Sequence, residues 1–175
     1  DNSLWVPTGP LEGTRYSLGV GQTVDFKRSR PFNTTVFADL RHYQRLSQRT
    51  SLAIRYLGLH SRGNVPESYA LGGSWTLRGY AWRSMWGRNL ILANHELRFP
   101  LLDAMVFAFP FGTIDFRAFR GALFVDAGNA WNDEFGDWRG SIGAGTRIAL
   151  GGIFVLRLDA SRRTDFRSVN NGTRW

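Results

Sequence analysis

From Thr14 to Phe26 apolar and polar residues alternate without a break, and the chain repeats that pattern in segment after segment of about ten residues. In the first segment Tyr16, Leu18, Val20, Val24 and Phe26 fall on one face. Ser17, Gly19, Gly21, Thr23 and Asp25 fall on the other. Between Asn33 and Arg45, Val36, Ala38 and Leu40 oppose Phe37, Asp39, Arg41 and Tyr43. Between Thr50 and Leu59, Leu52, Ile54 and Tyr56 oppose Ser51, Ala53 and Arg55. Asn89–Leu101 sets Ile91, Ala93, Leu97 and Phe99 against Asn94, Glu96 and Arg98, with His95 interrupting the apolar side. Phe119–Trp131, Gly140–Leu150 and Ile153–Ser161 continue the series. A period of two residues is that of a β-strand with unlike faces, and no segment shows the helical period. The spacing predicts seven strands and an all-β, antiparallel fold. Residues 1–12 hold two prolines and no period, which predicts a turn or linker. Residues 102–118 are apolar and aromatic and are left unassigned.

Alternation alone does not say which face meets water. A β-sandwich buries the apolar face against a second sheet, whereas a transmembrane barrel turns it to lipid and keeps a polar interior. Strand length near ten residues favours the barrel. So do short links (Leu46–Arg49, Gly151-Gly152) alternating with long ones, and aromatics near strand ends at Phe26, Tyr43, Phe99 and Trp131. The longest uncharged apolar window, Ala104–Ile114, is too short for a spanning helix, which needs about 20 residues. The net charge of +8 invites a nucleic-acid partner. However, lysine occurs once, at Lys27, and the arginines are scattered within alternating segments, several two residues from a carboxylate. That pattern suits paired arginines in a wet barrel interior and no nucleic acid. The absence of cysteine removes disulfides and thiolate metal sites.

One connection stands apart. From Leu59 to Arg88 the chain leaves the alternating pattern for a stretch well beyond the roughly 12–15 residues usual for a structureless loop. Its residues Tyr69, Trp75, Leu77 and Tyr80 suit packing, and Arg78 sits between Leu77 and Gly79, where the backbone can approach another surface closely.

Four motifs occur in order: Gly72-Gly73 with Leu77-Arg78-Gly79-Tyr80, then Asn94-His95-Glu96-Leu97-Arg98-Phe99-Pro100, then Phe124-Val125-Asp126-Ala127-Gly128-Asn129-Ala130-Trp131, then Gly143-Ala144-Gly145-Thr146-Arg147. In that order and spacing the chain resembles the C-terminal half of the bacterial surface-antigen barrel. That superfamily comprises outer-membrane assembly factors of the BamA and TamA type and two-partner secretion transporters. The resemblance implies that residues 13–175 are the C-terminal half of a sixteen-stranded transmembrane barrel with a truncated last strand. It implies that residues 60–88 are an inward-folded loop and that residues 1–12 link to an upstream part of the barrel. It implies that Arg78, with Leu77, Gly79 and Tyr80 in the loop motif, meets Glu96 and Asp126 on the barrel wall. Parity independently puts Glu96 and Asp126 on the polar faces of their strands. Without the resemblance, the two carboxylates could equally pair with Arg98 and Arg120.

The implied work is insertion or translocation of polypeptides at the bacterial outer membrane. The alternatives are a passive porin-like channel and a structural barrel anchoring a larger envelope complex. The implied partners are outer-membrane lipid, client or secreted polypeptides, and the missing N-terminal barrel half or other envelope proteins. No catalytic, cofactor or metal site is expected. His42 and Asp39, and His95 and Glu96, are odd separations that put each pair on opposite faces of a strand, and no nucleophile or phosphate motif occurs.

Overall fold

Each alternating segment lies in one continuous antiparallel sheet. The computed structural model describes residues 1–6, 9–28, 30–150, 154–166 and 169–174, with side chains omitted at 103–107, 114–118, 150 and 169–174. The strands are β1 (Leu4–Val6), β2 (Gly9–Asp25), β3 (Arg30–Arg45), β4 (Ser51–Gly63), β5 (Tyr69–Leu71), β6 (Met85–Gly87), β7 (Asn89–Phe109), β8 (Gly112–Trp131), β9 (Arg139–Leu150), β10 (Phe154–Thr164) and β11 (Val169–Arg174). Nine of them form the sheet in the order β1-β2-β3-β4-β7-β8-β9-β10-β11, while β5 and β6 pair only with each other. No pairing joins the two ends of the sheet among the described residues, so it is an open section of wall. None of the described elements is a helix long and apolar enough to cross a membrane, which bears on helices alone.

The outer face settles the choice between sandwich and barrel. Among the described residues no second sheet covers the aliphatics of that face: Leu18 is 66% exposed, Val20 76% and Leu158 56%. The opposite face carries buried polar groups, among them Asp126, Ser141, Ser161, Glu96 and Arg147. Apolar outside and polar within is the arrangement hydrocarbon demands, and an apolar surface of this extent is foreign to a soluble monomer. Leu18→Arg should therefore cost about 2–4 kcal/mol of folding free energy in a bilayer. Denaturant titration of the fraction folded into phosphatidylcholine vesicles measures it; an unchanged midpoint would place that face in water.

Glycine on the wall makes room for rings on the neighbouring strand. A Cβ at Gly19 would overlap the Phe37 ring, while one at Gly121 would sit 2.6 Å from Phe99 and one at Gly143 2.5 Å from Phe124. Each ring belongs to the residue directly opposite in register, so aromatic and glycine interlock across three strand pairs.

Three features differ from the sequence expectation. Residues 1–12 hold β1 and the start of β2, because Leu4–Val6 folds back to pair with Gly9–Glu12. The unassigned stretch 102–118 is the far half of a β7–β8 hairpin that turns at Pro110-Phe111. Its alternation is hidden because most of it, residues 102–115, runs beyond the ends of β4 and β9, whose last pairs are Ser51↔Arg98 and Leu150↔Phe116, so no further described strand imposes unlike faces there. The strands also exceed ten residues; β2 has 17 and β3 has 16. The Gly151-Gly152 turn lies outside the described residues.

Candidate functional site

The connection from β4 to β7 does not stand away from the wall. Its two ends pair as the β5–β6 hairpin, in register Tyr69↔Gly87 and Leu71↔Met85. Between them the chain bends at Gly72 (φ +116°) and Gly73 (φ +107°), and the Leu77 carbonyl accepts from the Gly73 amide at 3.3 Å. Leu71 and Leu77 are fully buried against Leu90 and Leu92 of β7, flanked by Leu57 and Leu59 of β4. Those β4 and β7 leucines sit on the inner face at the loop end. The inner face is therefore apolar where these loop leucines seat on it.

This packing carries Arg78 into the interior, where it is 4% exposed. Its Nε donates to Asp126 Oδ2 and its Nη2 to Asp126 Oδ1, both at 2.7 Å, a two-pronged pair with β8. Its Nη1 donates to Glu96 Oε2 on β7, and its backbone amide reaches Asp126 Oδ2 at 3.2 Å. The guanidinium lies flat on Phe124, 3.5 Å from the ring centroid. Burial opposes its charge, but the hydrogen bonds and charges of Asp126 and Glu96 outweigh that cost, so its pKa lies above the ordinary arginine value.

Both carboxylates are saturated. Asp126, with no exposure, also accepts from Asn94 Nδ2 at 2.8 Å and Ser141 Oγ at 3.4 Å. Glu96 accepts from Arg98 Nε at 2.8 Å and Arg147 Nη2 at 3.2 Å. Arg147 goes on to Asp159 of β10 at 2.6 Å, and Arg157 Nε meets the other oxygen of Asp159 at 2.7 Å. The competing sequence pairing is half present: Arg98 shares Glu96 with the loop, while Arg120 meets no carboxylate among the described residues. Sequence reasoning did not identify Arg147, Asp159 or Asn94 as members of this network. Their inward parity was visible, but nothing in a one-dimensional pattern says that β9 and β10 curve back to the same point.

Gly79 and Tyr80 of the loop motif meet β10. The Gly79 carbonyl accepts from Arg163 Nε at 2.8 Å, and the Arg163 guanidinium stacks on Tyr80 at 4.5 Å. Gly79 has φ +81°, and a Cβ there would lie 2.8 Å from Ser161 Oγ. Gly79→Val thus combines a left-handed backbone with a clash and should weaken loop docking by at least about 1–2 kcal/mol. Limited proteolysis of folded protein, scored for cleavage within 64–88, reports it; unchanged resistance would count against this packing. At the loop tip Trp75 lies under the Arg157 guanidinium at 5.0 Å, and its carbonyl is 3.5 Å from Arg55 Nη1 on β4.

No nucleophile–base pair or group of metal ligands accompanies the network among the described residues. What it can do chemically is hold: one permanently charged group fastens a loop to several strands inside a polar lumen. The curated proteins compared with the chain give no match. Residues 7–163 match the Omp85 superfamily domain, a β-barrel family of outer-membrane assembly and translocation proteins. An open antiparallel wall with lipid outside, a charged interior, and that match over most of its length together mean that the chain belongs to the Omp85 superfamily.

Proposed function

We propose that this chain is the C-terminal half of a bacterial outer-membrane barrel that inserts or translocates polypeptides, with residues 60–88 as an internal brace. Residues 13–175 supply this wall, residues 1–12 lead in from an upstream part, and the remaining strands come from a longer polypeptide or a partner chain. Arg78, Gly79 and Tyr80 fasten the brace, Leu77 seats it, and Glu96 and Asp126 receive it. The observation that carries this reading is the burial of a loop guanidinium between carboxylates of two adjacent wall strands. A diffusion pore gains little from a lumen occupied by its own loop. A barrel that must yield to a client and then recover its shape gains a fixed internal reference.

The work is non-enzymatic and draws no nucleotide energy; its partners are outer-membrane lipid and unfolded or secreted polypeptide. The test uses full-length protein in proteoliposomes, with assembly or export of a β-barrel or secreted client as the readout. Arg78→Ala should depress that activity while single-channel conductance becomes larger or noisier. Large, steady conductance indifferent to Arg78, with no client activity, would favour a passive porin instead.

A further inference from the structure

Between the tip of the long loop and the inner wall lies a cavity of about 330 Å³. That is near the lower bound of ligand pockets, which span about 300–1,000 Å³. Six arginines line it: Arg41 of β3, Arg55 of β4, Arg78 of the loop, Arg98 of β7, Arg147 of β9 and Arg157 of β10. Among the described residues they pair with four carboxylates, Asp39, Glu96, Asp126 and Asp159, so two positive charges are unmatched. One excess falls at Asp39. Its two oxygens accept from Arg41 at 3.1 and 2.7 Å and from Arg55 at 2.9 and 2.8 Å. The other falls on the network of Glu96, Asp126 and Asp159, at whose edge Arg157 gives Asp159 only its Nε, leaving both Nη groups for a further acceptor. Arg78 and Arg147 are buried, whereas the side chains of Arg41, Arg55 and Arg157 stay reachable at 31%, 22% and 21% exposure. The exposed Trp75 touches both cationic points, through its carbonyl at Arg55 and its ring at Arg157.

We propose that this cavity binds two carboxylates of one acidic polypeptide segment, one at the Arg41–Arg55 pair and one at Arg157, on either side of Trp75. Unmatched positive charge confined between low-dielectric walls attracts anions more strongly than the same charge in open water. The planar fork of a guanidinium matches a carboxylate, which two of its nitrogens can hold at once. A single small anion satisfies one of the two points. A polypeptide delivers a carboxylate to each on one chain, so the second contact forms at high effective concentration. That the occupant is a polypeptide rests on the translocation reading; the anion site itself does not.

The test is fluorescence anisotropy of fluorescein-labelled hexaglutamate with full-length protein in uncharged detergent at about 0.15 M salt. Wild type should bind it and leave labelled hexaglutamine unbound. Arg41→Gln and Arg157→Gln should each weaken binding about tenfold, the worth of one hydrogen bond to a charged group. Each variant keeps a second arginine on its carboxylate, Arg55 on Asp39 and Arg147 on Asp159, so the wall retains its pairing. Heat-modifiable electrophoretic mobility verifies folding, and Arg28→Gln, in the turn between β2 and β3, should behave as wild type. Undiminished affinity in either folded glutamine variant would overturn the proposal. So would equal affinity for hexaglutamine, or displacement by glutarate or inorganic phosphate at the concentration at which unlabelled hexaglutamate displaces the probe. No transport enters this measurement. Hexaglutamate binding without client activity would therefore refute the translocation reading alone, and client activity without hexaglutamate binding would refute this site alone.

Discussion

Arg78→Ala should free the long loop from the lumen while leaving the wall folded. The substitution removes the two-pronged contact with Asp126, the bond to Glu96 and the stack on Phe124 together. Breaking one buried ion pair typically costs about 3–5 kcal/mol, because the partner charge is stranded without water. Here Glu96 keeps Arg98 and Arg147, so most of the loss falls on Asp126, which is left with Asn94, Ser141 and the residue 78 amide. A loss near that range exceeds what the Leu71–Leu77 seat can absorb without frequent opening. The check is protease accessibility of residues 64–88 in folded protein, together with hydrogen exchange of the Arg78 amide. Protection equal to wild type would mean that the apolar seat alone holds the loop and that the ion pair is incidental.

Asp126→Asn is the sharper experiment, because it keeps size and shape and removes only charge. The neutral amide can accept through one oxygen, whereas Arg78 presents Nε, Nη2 and its backbone amide to both carboxylate oxygens. The nitrogen of the introduced amide would then face a guanidinium donor, so the pair changes from attraction to a donor–donor clash. The expected penalty is again about 3–5 kcal/mol, and the loop-release phenotype should match that of Arg78→Ala. In the double variant the two effects should be far from additive, since each removes the same contact. Additive losses would show that the two residues act separately. Glu96→Gln should be milder for the loop than Asp126→Asn, because Asp126 carries both of the parallel bonds.

Much of this architecture could be read from the chain, because a wall one residue thick leaves every side chain only two destinations. Parity is enough to send Leu18, Val125 and Leu156 outward and Asp39, Glu96 and Asp126 inward. It failed where the rule of unlike faces does not apply. Leu57, Leu59, Leu90 and Leu92 look inward yet are apolar, because a loop and not water covers them. Likewise the far part of the β7–β8 ribbon, residues 102–115, pairs with no other described strand and so has no reason to alternate. The candidate site divides the same way. The inward parity of Glu96 and Asp126 follows from local sequence, and their shared contact with Arg78 follows from adjacency of β7 and β8. The reach of Arg147 and Asp159 into that contact depends on wall curvature, which no strand encodes singly.

The loop touches β4 through Arg55, β7 through Glu96, β8 through Asp126 and β10 through Arg163, and Arg147 of β9 shares Glu96 with it. Such a set of cross-ties turns five flexible ribbons into a single stiff plate. Bending that the surrounding bilayer or cargo imposes must then concentrate in unbraced staves, toward β2 and β3 or beyond β10. A rigid sector of this kind would decide where the cylinder gives way, without itself ever deforming.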